Sequence, residues 1–426
     1  MRDPKLSQAL PELVRDGLIS TDQAERIKAR YATVDEQSSS RMLLVFAVLG
    51  SLLVGLGIIL IIAHNWDDLS RGTRTVIAFL PVLLGQGLVL YTLRKKADVS
   101  AWREGSAVLL ACGLCAAVAL ISQIYHISGN LEGYLFTCSL LILPLLYLPG
   151  SFTVALGYLG MITWYAWTVR FEGSGPDDRP WYFIALLAAA VPFYSSEMRR
   201  NGTGVPFWWL SLCMALATGI GSQLFYRDWE LAHALGVVAL AAVFTLVPWL
   251  HVGRELRTWP WVLVGGATML ITFLIFSFRS VWSDEWHLDA KAVNDRYIIG
   301  LYLAIGVIGY AWSLRVRRPF QQWPYPEGLV LFALCFIVGL SAPTVAAILV
   351  NLALLVLGVI TVKHGTERHS LRRMNLGLAI LSVTILLRFF DTDMSFVLRG
   401  LVFIGIGCGF LYMNMRMVRE RQRHAS

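Results

Sequence analysis

The stretch MLLVFAVLGSLLVGLGIILIIA, residues 42–63, contains no charged residue and one hydroxyl side chain. A helix of about 20 apolar residues spans the hydrocarbon core of a bilayer. Similar stretches recur as far as Met413, and only 15% of the chain is charged, whereas soluble domains average about 25%. The sequence therefore predicts an all-α, polytopic membrane protein whose main partner is the lipid bilayer.

About fourteen transmembrane helices are predicted between Met42 and Asn414, and the pair around Pro343 could instead form one kinked hairpin. The predicted spans lie near residues 42–63, 74–93, 104–125, 132–148, 151–169, 181–196, 205–225, 231–250, 260–278, 297–314, 327–341, 343–362, 374–390 and 396–414. Asn351, in the middle of one span, is interpreted as a residue that hydrogen-bonds a neighbouring helix.

The connectors between the spans alternate in charge. Every second connector is basic, as at Arg94–Lys96, Arg199–Arg200 and Arg315–Arg318, whereas the intervening ones are acidic, as at Asp67–Asp68 and Asp177–Asp178. Basic residues stay on the cytoplasmic side of a membrane, so both termini are predicted to be cytoplasmic. The net charge of +8 is explained by this asymmetry, and nucleic-acid binding is not expected.

The first 41 residues are polar and contain no apolar signal-peptide core, so no cleavable signal peptide is expected. Gly17 is placed to end a first short helix, and Ser20 and Gln23 match a capping box that starts a second one. The predicted organisation is a cytoplasmic helical hairpin with its linker (1–41), a transmembrane domain (42–414) and a basic cytoplasmic tail (415–426).

A first group of polar residues follows the first span. His64 and Asn65 lead into Trp66, which suits the interfacial aromatic belt, and then into Asp67 and Asp68. The paired carboxylates could bind a cation, a basic ligand or a metal. The alternative is ordinary interface chemistry without a ligand.

A second group closes the third span. Gln123 and His126 are three residues apart and share a helix face, with Tyr125 between them. The hexamer from Ile121 to His126 is echoed by Gly221–Tyr226 at the end of the seventh span, which would fit a parallel repeat or a coincidence.

A third group lies at the last two spans. Arg388 precedes Asp391 by three residues, and Arg399 lies one turn inside the final span. Arginines at the outer membrane face oppose the usual charge bias and need acidic partners, for which Asp391, Asp67 and Asp68 are candidates. No nucleotide-binding, zinc-protease, serine-hydrolase or EF-hand motif is present, so no catalytic residue is assigned, and metal and cofactor stay unknown.

Three motifs resemble the predicted membrane proteins of the domain of unknown function 2157 family over roughly residues 5–170. The motifs are Gly17–Ala24, Asn65–Asp68 and Gln123–Gly129. The stretch that contains Arg388–Asp391, Arg399–Gly400, Phe403, Gly407 and Asn414 is similar to the ending of the domain of unknown function 4401 proteins. The resemblance implies a multi-pass protein of the bacterial cytoplasmic (inner) membrane with no assigned activity.

Three functions remain open at this point. The first is a non-enzymatic protein that binds or transports a small or lipidic solute through an outward-facing polar pocket formed by the three groups. The second is a C-type integral-membrane glycosyltransferase, with Asp67 or Asp68 as base or metal ligand, although the connector after the first span is short for that fold. The third is a sensor or assembly module that docks a protein partner, or its own loops, through the N-terminal hairpin.

Overall fold

The computed structural model describes residues 13–17, 19–25, 66–172, 179–226, 232–248, 259–283, 293–316, 326–367 and 370–391, together with 404 and 408. The chain divides into two compact units, Met1–Ile77 and Ala78–Ser426. Regular secondary structure within the described residues is helical, which confirms the all-α prediction.

The first unit contains the predicted capping box. Residues 13–15 and 21–25 are helical, and Gly17 between them has a φ of +70°, a left-handed conformation that glycine adopts without strain. The Ser20 amide donates to Gln23 Oε1 at 2.9 Å, and the Gln23 amide donates to Ser20 Oγ at 3.2 Å. Both hydrogen bonds of the predicted helix start are therefore present.

A short 3-10 turn, Trp66–Asp68, precedes the longer helices. In chain order the longer helices of the described residues are α1 Arg71–Lys95, α2 Ser100–Tyr125, α3 Leu131–Tyr147, α4 Phe152–Phe171, α5 Trp181–Asn201, α6 Val205–Gln223, α7 His233–Leu246, α8 Trp259–Ile275, α9 Arg279–Ser283, α10 Val293–Val316, α11 Gly328–Gly339, α12 Pro343–Glu367 and α13 Leu371–Asp391. Each predicted span from 74–93 to 374–390 overlaps one of these helices, and α11 and α12 are separate on either side of residues 340–342. The predicted spans 42–63 and 396–414 lie outside the described residues, apart from residues 404 and 408.

Five helices in the described part of the chain are long and apolar enough to cross a membrane: α1, α2, α6, most of α10, and α12. The helices α3, α7, α8 and α11 are also apolar but run for only 12 to 17 residues. The predicted polytopic character is supported, whereas the number of fourteen crossings and the orientation stay predictions.

Large apolar side chains on these helices are left uncovered by protein. On α12, Ile348, Leu352 and Val359 are each more than half exposed and recur at helical spacing, as do Leu301 and Ile308 on α10. Soluble proteins rarely expose such continuous apolar faces. Hydrocarbon is the surrounding medium that fits these faces.

Buried side chains form two apolar cores within the second unit. One core involves α1 to α6, and the other is built mainly from α7, α8, α9, α11 and α12. The helices α7 and α8 contribute to both cores, since Phe244 and Trp261 belong to the first, and Val238 and Phe273 to the second. These two helices therefore connect the halves of the bundle.

The helices α12 and α13 form a hairpin whose close packing depends on glycine. A β-carbon at Gly377 would lie 2.6 Å from the Val362 nitrogen and 2.8 Å from the Gly358 oxygen. A β-carbon at Gly365 would lie 2.5 Å from the Met374 nitrogen. Small residues at such positions allow helix backbones to approach closely, and this approach replaces the hydrophobic driving force that lipid removes.

The N-terminus of α4 is held by a carboxylate from α2. Glu104 accepts hydrogen bonds from the backbone amides of Phe152 and Thr153, at 3.0 and 2.8 Å, and from Ser151 Oγ at 2.6 Å. Negative charge is favourable at a helix N-terminus, where backbone amides lack partners within the helix. Glu104 therefore fixes the end of α4 against the start of α2.

Replacement of Gly377 by alanine should destabilise the protein, because the new methyl group would overlap backbone atoms of α12 that cannot move away freely. The expected loss is about 1–3 kcal/mol of unfolding free energy, measured as a lower midpoint of thermal unfolding in detergent. Gly300→Ala is the matched control, since a β-carbon at Gly300 meets nothing within 4 Å. Equal midpoints for the two variants would contradict the close-packing interpretation.

Candidate functional site

The first predicted group lies at the start of α1. Trp66 is half-buried, and the Arg74 guanidinium carbon lies 5.8 Å from the centre of its ring, within the range of a cation–π contact. Arg74 Nε also donates to the Leu69 carbonyl at 3.0 Å. Asp68 is exposed, whereas Asn65 and the side chain of Asp67 lie outside the described residues.

The second predicted group lies at the exposed end of α2. Gln123, Tyr125 and His126 are all exposed, Tyr125 by 52%. His126 has a φ of +53° and closes the helix, with its amide donating to the Gln123 carbonyl at 3.4 Å. The backbone conformation of His126 therefore serves as a helix C-cap.

The third predicted group falls largely outside the described residues. Arg388 and Asp391 belong to the last turn of α13 by their backbone, but their side chains and the whole of Arg399 are outside the described part. The proposed pairing of these charges therefore stays a prediction. Asn351, in contrast, behaves as predicted: its Nδ2 donates to the Ser277 carbonyl at the end of α8, at 2.9 Å.

A buried polar cluster that the sequence did not single out as a site lies where α4, α6, α7 and α10 meet. Tyr226 is 3% exposed and His233 is fully buried, and their ring centres are 4.3 Å apart. Tyr302 lies edge-on to Tyr226 at 6.1 Å, and Arg170 Nε donates to the Tyr226 carbonyl at 3.0 Å. The cluster joins four helix segments through aromatic packing and one charge-assisted hydrogen bond.

A cavity of about 550 Å³ lies beside this cluster, between α6, α7 and α8. Its walls are apolar, with Phe244, Ile271 and Phe276 among them, and Gln223 supplies an amide. One feature of the sequence includes a residue of this cavity: Gln223 belongs to the hexamer that is similar to Ile121–His126. The two copies differ in surroundings: Gln123 is exposed, whereas Gln223 lines a cavity.

A larger cleft of about 800 Å³ lies between α8, α11 and α12. Aliphatic side chains such as Leu331, Leu334 and Leu352 line most of it, and two polar side chains, Tyr310 and Glu327, contribute to the wall. Glu327 is only 5% exposed. A buried carboxylate beside an apolar cleft is unusual, because ionised groups are costly to remove from water.

The cavity and the cleft lie on opposite faces of α8. Gly266, Leu270 and Phe273 face the cleft, whereas Thr268 and Ile271 face the cavity. Each set recurs at spacings of three or four residues, and the sets are offset by about half a helical turn. A single helix therefore separates the two spaces.

Residues 11–168 match the family model described as "Predicted membrane protein (DUF2157)". No curated protein and no solved structure matches the chain. The match confirms the predicted resemblance over the N-terminal part of the chain and, with the apolar helices, supports a multi-pass membrane protein surrounded by lipid. The family description gives no activity. Among the described residues, no three His, Cys, Asp or Glu side chains are placed to hold a metal ion.

Substitutions at His126 test whether its positive φ limits the stability of the protein. His126→Gly should stabilise the protein by up to about 1–2 kcal/mol, because glycine adopts a positive φ without the clash that other residues incur. His126→Val should destabilise it, since β-branched residues tolerate this conformation worst. Thermal unfolding in detergent measures both changes. A glycine variant less stable than the valine variant would show that the imidazole makes contacts that outweigh backbone strain.

Proposed function

We propose that this protein binds a lipidic solute in the cleft between α8, α11 and α12. The observation that carries the proposal is the shape and chemistry of that space, which is apolar along its length with a buried carboxylate in its wall. Its volume of about 800 Å³ falls within the range of pockets that enclose small organic ligands, about 300–1,000 Å³.

An apolar occupant follows from the lining of the cleft. Leu331, Leu334 and Leu352 are each more than 40% exposed, so a hydrocarbon chain from the membrane could reach them directly. Acyl chains match these side chains in polarity, whereas a hydrated solute would lose its water against them without compensation. Tyr310 and Glu327 supply the polar part of this wall.

We also propose that the polar residues predicted from the sequence form an entry region for this solute. The region would lie on the outer face of the bacterial inner membrane. Exposure of Gln123, Tyr125 and His126 at the end of α2 is the feature that supports this role. The third group is included because the sequence of the C-terminal stretch resembles the domain of unknown function 4401 proteins, a resemblance that stays a prediction. The residues that the sequence predicts for this role are Asn65, Trp66, Asp67, Asp68, Gln123, Tyr125, His126, Arg388, Asp391 and Arg399, and their assembly into one site stays a prediction.

Filling the cleft should reduce lipid binding. Leu334→Trp adds a bulky ring to the cleft wall and should lower covalent labelling by a phosphatidylethanolamine that carries a photoreactive acyl chain, at least threefold, at peptides from α11 and α12. Ile348→Trp is the matched control, because Ile348 is 60% exposed on α12 and does not line the cleft. Labelling is measured by mass spectrometry of protein reconstituted in vesicles.

Equal labelling of the Leu334 and Ile348 variants at those peptides would refute binding in the cleft. Labelling confined to the outward surface of α12, around Ile348, would indicate annular lipid only and would also count against the proposal.

The proposed orientation can be tested with single cysteines in a variant that lacks the six native ones. A cysteine at Lys96 should react with a membrane-impermeant maleimide only after cell lysis, because the basic connector after α1 is predicted to be cytoplasmic. A cysteine at Gly129, after α2, should react in spheroplasts before lysis. Reaction of both positions from the same side would overturn the orientation and the outer entry region with it.

A further inference from the structure

The cavity between α6, α7 and α8 contains a polar atom without a partner. Gln223 Oε1 is buried and accepts no hydrogen bond from any group in the described part of the chain. The cavity measures about 550 Å³, and its wall around this amide is otherwise mostly apolar. A buried acceptor that stays unsatisfied is costly, so a group that fills the cavity gains by supplying a donor.

The orientation of the Gln223 amide is fixed by the preceding residue. The Ser222 hydroxyl donates its single proton to the Gly219 carbonyl at 2.6 Å. The Ser222 oxygen can therefore only accept, and it accepts from Gln223 Nε2 at 3.1 Å. Rotating the amide by 180° would set two acceptors against each other, which leaves Oε1 as the free atom.

No hydroxyl group of the described residues donates to Gln223 Oε1. Thr272, which also lines the cavity, donates to the Thr268 carbonyl at 2.9 Å. Apart from Thr268, the remaining wall is built from aliphatic and aromatic side chains such as Phe244 and Ile271, and it contains no cationic side chain. The cavity thus presents an unpaired acceptor in mostly apolar surroundings.

We propose that this cavity binds a neutral membrane lipid through a hydroxyl group that donates to Gln223 Oε1. An ionised carboxylate or phosphate offers no proton to this acceptor and finds no cation in the wall. A long-chain alcohol meets both requirements, because its chain fits the apolar wall and its hydroxyl supplies the missing donor. The residues that form this second site differ from those that line the cleft containing Glu327. Either proposal can therefore be refuted while the other stands.

The test compares an alcohol with its methyl ether, in which a methyl group replaces the donor proton. A photoreactive hexadecanol and its methyl ether are equilibrated with the full chain in detergent, and labelling of α6, α7 and α8 peptides is titrated. Wild-type protein should bind the alcohol about five- to tenfold more tightly than the ether, as one added hydrogen bond to a buried acceptor would give. This comparison needs no variant and does not depend on the stability of one.

Variants at Gln223 test whether its amide causes the preference for the alcohol over the ether. Gln223→Leu should reduce alcohol binding to the level of the ether and leave ether binding unchanged, since leucine retains the apolar wall but lacks the acceptor. Gln86→Leu is the matched control, because Gln86 is an exposed glutamine on α1 that does not line the cavity, and it should keep the wild-type preference. Equal binding of alcohol and ether by the wild type, or an undiminished preference in Gln223→Leu, would overturn the proposal. The Leu334→Trp variant, in which labelling at the larger cleft should fall, should still prefer the alcohol to the ether.

Discussion

Hydrocarbon offers a polar group no hydrogen-bonding partner, and many polar side chains on the described helices follow that constraint. Hydroxyl side chains within the helices bond to carbonyls of the preceding turn, as Ser139 does to Leu135 at 2.7 Å and Thr384 to Ile380 at 2.8 Å. Such groups cost little in lipid, because their protons are already used inside the helix. Gln223 Oε1 contrasts with them, as do Thr92 Oγ1 and Asn351 Oδ1, but of these three residues only Gln223 lines a cavity that a ligand could enter.

The same solvent changes how helices are held together. Apolar contact between helices contributes little free energy when lipid is the alternative. Helix association therefore depends on close packing and on a few polar contacts. The glycines between α12 and α13, the Asn351 amide on Ser277 and the Glu104 carboxylate on the N-terminus of α4 are such contacts. Each joins elements through backbone atoms, which makes the packing specific although much of the surrounding helix surface is apolar.

Helix positions could be predicted from the sequence because hydropathy is a local property. The predicted span 132–148 corresponds to Leu131–Tyr147, and 181–196 to the longer helix Trp181–Asn201. The number of crossings could not be fixed in the same way. Helices such as α11, with 12 residues, are apolar but shorter than the hydrocarbon core, so their relation to the membrane depends on tertiary packing.

The candidate site was harder to predict than the fold. Sequence reasoning favoured Gln123 and His126 because polar residues at a helix end are visible without a structure, and both are exposed. The cavity at Gln223 depends on how α7 and α8 pack around the end of α6, which the shared hexamer cannot reveal. The same local residues thus lead to an exposed side chain in one copy and to a half-buried glutamine that lines a cavity in the other.

The position of α8 between two spaces has a thermodynamic consequence. Displacement of this helix toward the cavity narrows it and widens the cleft, and the reverse displacement does the opposite. Occupants that prefer different positions of α8 therefore weaken each other's binding, and linkage requires that the two effects be equal in size. With both proposed occupants in place, the helix that separates them would couple their affinities although the occupants never touch.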